Sequence, residues 1–413
     1  MTVPIKNIKS RLCFNSRGSP TIEIDVFTDS GFGRSASPSG ASVGAYESKS
    51  FPSGGVIDSI KAVDLIKPNL IGADASNIDE ISSIIKNFDN TQNYENIGGS
   101  AAYAISFASI EAASKELSVP LFKLINPDVD VKIPHLLGNV IGGGKHSGAG
   151  SFDIQEFLAC PVGAKTINDS LSAVFEVHAE VKSIIEDSGY PSTLGKGDEG
   201  AWAPSITNDD AFNIACSAIN NVSDNLGFKI RLGVDFAASS FWNSSDLVYE
   251  YSNSKSIKSV EDQSNYVEDC IQKYDLIYVE DPFHEDAFEE FASLTKNTKN
   301  TYVVGDDLLV TNPKRLELAS SINAVDAAIL KVNQIGTLGD ALLFAKQANI
   351  IGCDLITSHR SGDTSDSHIS HVALATGSIM LKSGVVGGER VAKLNELLRI
   401  NETLNGVNMS QLR

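Results

Sequence analysis

Residues 276–281 of this 413-residue chain read LIYVED, a short apolar run that ends in two acidic side chains. Four further runs have a similar form: IRLGVD (230–235), TYVVGDD (301–307), AAILKVN (327–333) and GCDLITSH (352–359). The runs are uniformly apolar rather than alternating, which is typical of strands buried on both faces of a parallel sheet. Helical patterns lie between them, so the sequence predicts repeated strand–helix units.

The side chains that end these runs are acids, a base and a histidine: Asp235, Glu280, Asp306, Lys331 and His359. From Glu280 onward, successive members lie 26, 25 and 28 residues apart, and Lys382 follows 23 residues later. A strand, a helix and two loops occupy about this length. In a (β/α)₈ barrel the C-terminal strand ends surround the active site, so the spacing predicts a barrel with these side chains around one centre.

The earlier part of the chain has a different pattern. Residues 21–28, TIEIDVFT, alternate apolar and acidic side chains, as a half-buried antiparallel strand does. Residues 100–117 are rich in small side chains and helical in pattern, and the turn-rich segment 125–134 is the best linker candidate. The change of pattern at this segment predicts two domains.

Composition excludes several function classes. The 33 basic and 52 acidic residues give a net charge of −19, which repels phosphate backbones and argues against a nucleic-acid partner. The five cysteines are widely separated and form no C-x-x-C pair, which argues against a disulfide framework and a thiolate zinc site. We find no signal peptide and no apolar stretch near membrane-spanning length, so we expect a soluble cytoplasmic protein without a membrane partner.

Three acids at successive predicted strand ends, Asp235, Glu280 and Asp306, are typical of a hard oxygen site that suits Mg²⁺ or Mn²⁺. A divalent cation and Lys382 would lower the pKa of the neighbouring Lys331 and make it a usable base. A base that faces a metal-bound carboxylate suits proton abstraction beside a carboxyl group. The alternative is that these acids are surface residues of an acidic chain and that the lysines only form ion pairs with them.

Two further acids lie in unusual surroundings, Glu199 in the glycine-flanked turn KGDEGAWAP and Glu156 between apolar residues in IQEF. A crowded carboxyl pair raises one pKa, which provides an acid able to protonate a leaving hydroxide. In SHRSGDT (358–364), Arg360 and Ser361 are candidates for a phosphate site, because arginine donates paired charge-assisted hydrogen bonds.

At these residues the chain resembles the enolase family along nearly its whole length. The most specific stretch is LKVNQIGTL (330–338). The other matching stretches are NSRGSPT (15–21), PSGAS (38–42), QEF (155–157), GDEG (197–200), VEDPF (279–283), GDDLLVTNPKR (305–315), SHRSG (358–362) and ERVAKLNELLRI (389–400).

The resemblance implies an α/β protein with a small N-terminal α+β capping domain over residues 1–127. An enolase-type (β/α)₈ TIM barrel would follow over residues 128–413, opening with two strands and two helices instead of strict alternation. It also implies a homodimer or a dimer-based octamer.

The implied reaction is the reversible dehydration of 2-phospho-D-glycerate to phosphoenolpyruvate, a step of glycolysis and gluconeogenesis. By similarity, Lys331 is the general base that takes the C2 proton. Glu199, paired with Glu156, is the general acid that protonates the leaving hydroxyl. His359 belongs to the same catalytic group.

By similarity, two Mg²⁺ ions bind per active site. The first would be held by Asp235, Glu280 and Asp306, and the second would arrive with substrate and use Ser42. The substrate would be bound by His146, Glu156, Lys331, Arg360, Ser361 and Lys382. The chain departs from the common family pattern at Val43, at Asp363 and in the loop between His146 and Glu156, which has one extra residue.

Two other functions stay open at this point. A related enzyme acting on a different acid, as racemase or dehydratase, would share the metal residues but lack the phosphate pair Arg360 and Ser361. A binding role as a scaffold or receptor could be added to catalysis. The intact Lys331 and Glu199 argue against it as a replacement for catalysis.

Overall fold

In the computed structural model, the structure describes residues 2–40, 44, 46–147, 150–190 and 194–413. The N-terminal part is a three-stranded antiparallel sheet with helices packed on it, in the order β1-β2-β3. Its elements are β1 (Asn7–Phe14), β2 (Pro20–Phe27), β3 (Phe32–Ala36), α1 (Val56–Leu70), α2 (Ile78–Asp89), α3 (Gly99–Leu117) and α4 (Leu121–Ile125). The predicted antiparallel strand corresponds to β2 and the predicted small-residue helix to α3, so both predictions are confirmed.

Helix α3 is buried on nearly every side, which explains its alanine- and serine-rich sequence. It packs closely against β2 and β3. The close approach depends on Gly33 of β3, since a β-carbon at this position would overlap the carbonyl oxygen of Ala108. Small side chains on both elements therefore set the distance between the sheet and the helix.

After residues 126–134, which contain no helix or extended strand, the chain forms a closed eight-stranded barrel. The barrel strands are β4 (His135–Gly142), β5 (Glu156–Cys160), β6 (Arg231–Asp235), β10 (Tyr278–Glu280), β11 (Tyr302–Gly305), β12 (Ala327–Leu330), β13 (Asp354–Ser358) and β14 (Met380–Gly384). The helices of this part are α5 (Gly144–Ser147), α6 (Ile167–Asp187), α7 (Asn208–Leu226), α8 (Val260–Tyr274), α9 (Phe288–Asn297), α10 (Pro313–Ser321), α11 (Val332–Ile335), α12 (Leu338–Ile351), α13 (His368–Thr376) and α14 (Gly388–Thr403).

The barrel begins irregularly, as predicted. Strand β5 runs antiparallel to both β4 and β6, and the remaining neighbours pair in parallel. Helices α6 and α7 follow β5 without a strand between them. A small antiparallel sheet of β7 (Trp242–Asn243), β8 (Val248–Tyr251) and β9 (Ser256–Lys258) is inserted between β6 and α8. The predicted α/β fold, a barrel with a smaller α+β domain, is confirmed.

Local signals in the sequence explain where the helices around the barrel begin. Helices α6, α7 and α8 each start with a capping box, in which a hydroxyl side chain and an acidic side chain three residues later bond each other's backbone N–H groups. The pairs are Thr166 with Asp169, Thr207 with Asp210, and Ser259 with Asp262.

The interior of the barrel is filled by its own apolar cluster, separate from the cluster between strands and helices. Because side chains alternate between the two faces of a strand, the next inward position lies two residues further along. Lys382 follows Met380 of the interior cluster in this way. The same step leads from Tyr278 to Glu280, from Val304 to Asp306, from Ile329 to Lys331 and, on the antiparallel β5, from Leu158 back to Glu156.

The fold therefore places charged residues directly above an apolar barrel interior. Within the described ranges, no helix combines the length and the apolar character that crossing a membrane requires.

We predict that Gly33→Ala destabilises the protein, because the new methyl group overlaps backbone atoms of α3 that cannot move without displacing the helix. Overpacking of this kind costs on the order of 1–3 kcal/mol. Urea unfolding followed by circular dichroism measures the loss. Gly388→Ala is the control, because a β-carbon there meets no atom within 4 Å. Equal unfolding midpoints for the two variants would contradict this explanation.

Candidate active site

A cavity with an empty volume of ≈ 500 Å³ lies at the C-terminal ends of the barrel strands. Nine of the predicted site residues line it: Glu156, Glu199, Asp235, Asp306, Lys331, His359, Arg360, Ser361 and Lys382. Glu280 is fully buried at the end of β10 and contacts Lys382. The structure thus brings together side chains that are up to 226 residues apart in the chain, from Glu156 to Lys382.

Lys382 is the centre of the charged cluster. Its Nζ atom lies 2.5 Å from Glu280 Oε2, 2.9 Å from Asp235 Oδ2 and 3.3 Å from Glu156 Oε2. Burial lowers the pKa of Lys382, but these carboxylates raise it by more, so the pKa is well above its ordinary value. Lys382 is therefore a fixed positive charge between β5, β6 and β10.

Lys331 forms an ion pair with Asp306, whose other carboxylate oxygen accepts a 3.0 Å hydrogen bond from the Gln334 side chain. The expected lowering of the Lys331 pKa requires a bound divalent cation and therefore stays a prediction. Among the protein's own groups, burial lowers this pKa most, Asp306 and Glu280 raise it, and the net pKa lies above the ordinary value. A lysine with a raised pKa stays protonated and cannot accept a proton. It becomes a usable base only when another cation binds Asp306.

The acidic strand ends fit a divalent cation. Carboxylate oxygens of Glu280, Asp281 and Asp306 lie within 4.8 Å of one another, and Asp235 is the register neighbour of Glu280 on β6. Oε1 of Glu280 is buried and has no hydrogen-bond partner among the described residues. Burial and the negative charge of Asp235 raise the pKa of Glu280 to about 7. An all-oxygen set of crowded carboxylates is the donor chemistry that Mg²⁺ prefers.

Asp281 differs from the other acids because both of its oxygens already accept backbone hydrogen bonds. Its partners are the N–H groups of Asp306, at 3.0 Å, and Asp307, at 2.7 Å. Asp281 therefore ties the end of β10 to the end of β11 and positions Asp306.

A second pair of acids, Glu199 and Glu156, also lines the cavity. Oε2 of Glu199 accepts a 3.0 Å hydrogen bond from Asn139 and lies 3.2 Å from Nε2 of His359. Burial and the nearby Glu199 raise the pKa of Glu156 well above its ordinary value. The sequence predicted a raised pKa for one member of this carboxyl pair, and in the structure that member is Glu156.

Arg360 is buried and forms paired contacts with Glu47, with distances of 3.1 to 3.3 Å between guanidinium nitrogens and carboxylate oxygens. Burial lowers the pKa of Arg360 and Glu47 raises it, with a net increase. The neighbouring Ser361 has a buried hydroxyl with no hydrogen-bond partner among the described residues. Both side chains line the cavity, where an anion would compete with Glu47 for the guanidinium.

Two predicted residues cannot be placed. Ser42 lies outside the described residues. The backbone of His146 belongs to helix α5, but its side chain is outside the described part of the structure.

The sequence reasoning missed several residues that contribute to the cavity. Asp281 and Asp307 are the second acids of the pairs ED and DD. They were missed because the sequence reasoning assigned only one functional residue to each strand end. Burial and Asp306 raise the pKa of Asp307 to about 7. Glu47 and Gln334 had no signal of their own, because their partners lie far away in the sequence.

Comparisons with known proteins agree with this geometry. The family model described as "Enolase, C-terminal TIM barrel domain" matches residues 130–410, and the model "Enolase, N-terminal domain" matches residues 5–125. The chain is 43% identical over 410 residues to an enolase of Methanosphaera stadtmanae, with 99% of each chain covered. It is 42% identical over 410 residues to an enolase of Methanothermobacter thermautotrophicus, again covering 99% of each. An enolase of Haloarcula marismortui is 42% identical over 402 residues, covering 96% of this chain and 98% of that one.

We predict that Mg²⁺ binding at pH 7 releases protons. With a pKa of about 7, Glu280 is partly protonated at this pH, and a carboxyl group must lose its proton to bind a cation. Isothermal titration calorimetry in buffers of different ionisation enthalpy counts the released protons. The number should fall as the pH rises to 9, because the group is then already ionised. A proton count that is zero at pH 7, or unchanged between pH 7 and 9, would contradict the prediction.

Proposed function

The chain belongs to the enolase family and is thus a lyase of the phosphopyruvate hydratase type, and we propose that it catalyses the reversible, Mg²⁺-dependent dehydration of 2-phospho-D-glycerate to phosphoenolpyruvate and water. The pathway context is glycolysis and gluconeogenesis. The observation that carries the proposal is one cavity that combines a buried lysine, a crowded carboxyl pair, an all-oxygen cation site and a buried arginine. A lysine base combined with Mg²⁺ is an established pattern of enolase-superfamily sites, and the proposed pairing conforms to it.

Lys331 is proposed as the general base that removes the C2 proton. When bound by Asp235, Glu280 and Asp306, Mg²⁺ would supply positive charge for the developing enolate and would draw Asp306 charge away from Lys331. The orientation of the base depends on the protein alone. The backbone of Lys331 is held at the end of β12 by a 3.0 Å hydrogen bond from its N–H to Thr311, and the side chain is held by its ion pair with Asp306.

Glu199 is proposed as the general acid, with Glu156 as its partner. Burial and Glu199 raise the pKa of Glu156, which favours a proton shared within this pair, as protonation of a leaving hydroxyl requires. Asn139 and His359 both contact Oε2 of Glu199 and restrict its position. The acid contacts Asn139 and His359, whereas the base contacts Asp306, so the two groups are separate and can act on different carbons of one substrate.

Arg360 and Ser361 are proposed to bind the substrate phosphate, and Lys382 its carboxylate. A phosphate accepts two parallel hydrogen bonds from a guanidinium, as the Glu47 carboxylate does in the structure. Substrate binding would then displace Glu47 from Arg360. We propose by family resemblance that His146 also contacts substrate and that Ser42 takes part in binding a second Mg²⁺.

The remaining parts of the proposal concern organisation. We propose a capping domain over residues 1–127, a catalytic barrel over residues 128–413, and a homodimer or dimer-based octamer. We also propose a cytoplasmic location, with neither nucleic acid nor membrane as a partner.

We predict that the purified protein forms phosphoenolpyruvate from 2-phosphoglycerate in the presence of Mg²⁺, seen as rising ultraviolet absorbance. Lys331→Ala should lower kcat by roughly 10²–10⁴-fold, the usual contribution of a general base. Lys346→Ala is the control, because this lysine is exposed on α12 of the same barrel unit. The proposal fails if wild type shows no turnover at any Mg²⁺ concentration, or if Lys331→Ala matches its control.

A second prediction separates the acid from the base. Glu199→Gln keeps the shape of the side chain but cannot deliver a proton, so dehydration should stop while Lys331 still removes the C2 proton. Proton NMR in D₂O would then show loss of the C2 signal of 2-phosphoglycerate without product. Lys331→Ala should show neither exchange nor product. Normal dehydration by Glu199→Gln would remove Glu199 from its proposed role.

A further inference from the structure

Arg390, in the first turn of α14, is fully buried and contacts the site without lining the cavity. One terminal nitrogen lies 2.7 Å from Nδ1 of His359 and donates a 2.6 Å hydrogen bond to the carbonyl oxygen of Arg360. The other terminal nitrogen donates to the carbonyl oxygens of Ser361, at 2.7 Å, and Asp198, at 3.0 Å. One guanidinium therefore links three consecutive residues, His359 to Ser361, to Asp198, the residue that precedes Glu199.

The contact with His359 decides where the imidazole ring carries its proton. Arginine has only donor groups and stays protonated, so the Nδ1 atom beside Arg390 must accept. The backbone N–H of Gly384 also donates to Nδ1, at 3.3 Å. With Nδ1 as an acceptor twice over, the neutral ring carries its proton on Nε2.

The protonated Nε2 faces the catalytic acid. It lies 3.2 Å from Oε2 of Glu199 and has no well-aligned hydrogen bond among the described residues. The opposite tautomer would place a nitrogen lone pair against a carboxylate oxygen, which is repulsive. The position of Glu199 therefore depends on the tautomer of His359, and the tautomer depends on Arg390.

The charged groups around His359 are Glu199, Asp363 and Arg390. Burial lowers the pKa of His359 to about 4, with Arg390 adding to the shift and the two acids opposing it. Asp363 also lies 3.3 Å from Arg390, and the two form a buried ion pair.

We propose that Arg390 is a positioning residue of the dehydration reaction, which fixes His359 as the neutral tautomer protonated at Nε2 and thereby orients Glu199. The catalytic consequence rests on the proposed function, whereas the tautomer follows from the two donors at Nδ1, Arg390 and the backbone N–H of Gly384.

The tautomer is tested by NMR of wild-type protein labelled with ¹⁵N at its seven histidines, without substrate. The signal lost in His359→Gln identifies His359. We expect an unprotonated Nδ1 and a protonated Nε2, with no titration between pH 6 and 8. A proton on Nδ1, or a cationic ring at pH 7, would overturn the proposal. This measurement is independent of turnover, so its failure is distinguishable from a failure of the phosphoenolpyruvate assay.

The positioning role is tested with Arg390→Met, which removes both the donors and the charge. We expect His359 to become a mixture of tautomers with a higher pKa, and kcat to fall by about 100-fold, as small misplacements of catalytic groups cause. Arg390→Lys should restore part of kcat, because it returns a donor and the charge.

Arg231→Met is the matched control. Arg231 also has a largely buried side chain and also donates to three backbone carbonyl groups, but it lies at the first residue of β6, the opposite end of the barrel from the cavity. A wild-type tautomer in Arg390→Met, with a loss of kcat no larger than in the control, would overturn the proposal. If Arg390→Met does not fold, the proposal is tested by the kcat of Arg390→Lys and by the His359 tautomer in the wild-type spectrum.

Discussion

The structure depends on the burial of several carboxylates at one end of the barrel, where only a few positive charges balance them. Lys382 contacts Asp235, Glu280 and Glu156 at once, and all four side chains are almost completely excluded from solvent. Desolvated charges of like sign are costly unless they are paired, and the pKa of Glu280, about 7, reflects that cost. A site of this kind gains from binding a divalent cation, which is the chemistry that the proposed reaction uses.

The position of these charges follows from the alternation of side chains along a strand. Glu280, Asp306, Lys331 and Lys382 each lie two residues beyond a member of the apolar interior cluster, so this register aims their charges at one cavity. This part of the molecule was predictable from sequence, because short apolar runs at regular spacing specify both the strands and the residues at their ends. The prediction held for Asp235, Glu280, Asp306 and Lys331, which the structure brings to the same end of the barrel.

The rest depended on contacts that the sequence does not encode locally. Glu47 lies 313 residues before Arg360, its partner, and nothing in the spacing of either indicates the pair. Arg390 lay in a family stretch and carried no functional prediction, although its guanidinium contacts the segment from His359 to Ser361. The charge on Lys331 depends on its ion pair with Asp306, which helps to hold the pKa of this lysine above the ordinary value.

If this balance of charges governs the site, Lys382 and a divalent cation must share the carboxylates at the ends of β6 and β10. Crystals grown with Mn²⁺ test this sharing, since an anomalous difference map locates the ion and the refined coordinates locate the lysine. We expect a peak among Asp235, Glu280 and Asp306, with Nζ of Lys382 moved away from Asp235 and Glu280. No peak at these carboxylates, or a lysine that keeps both contacts beside an ion bound elsewhere, would contradict it.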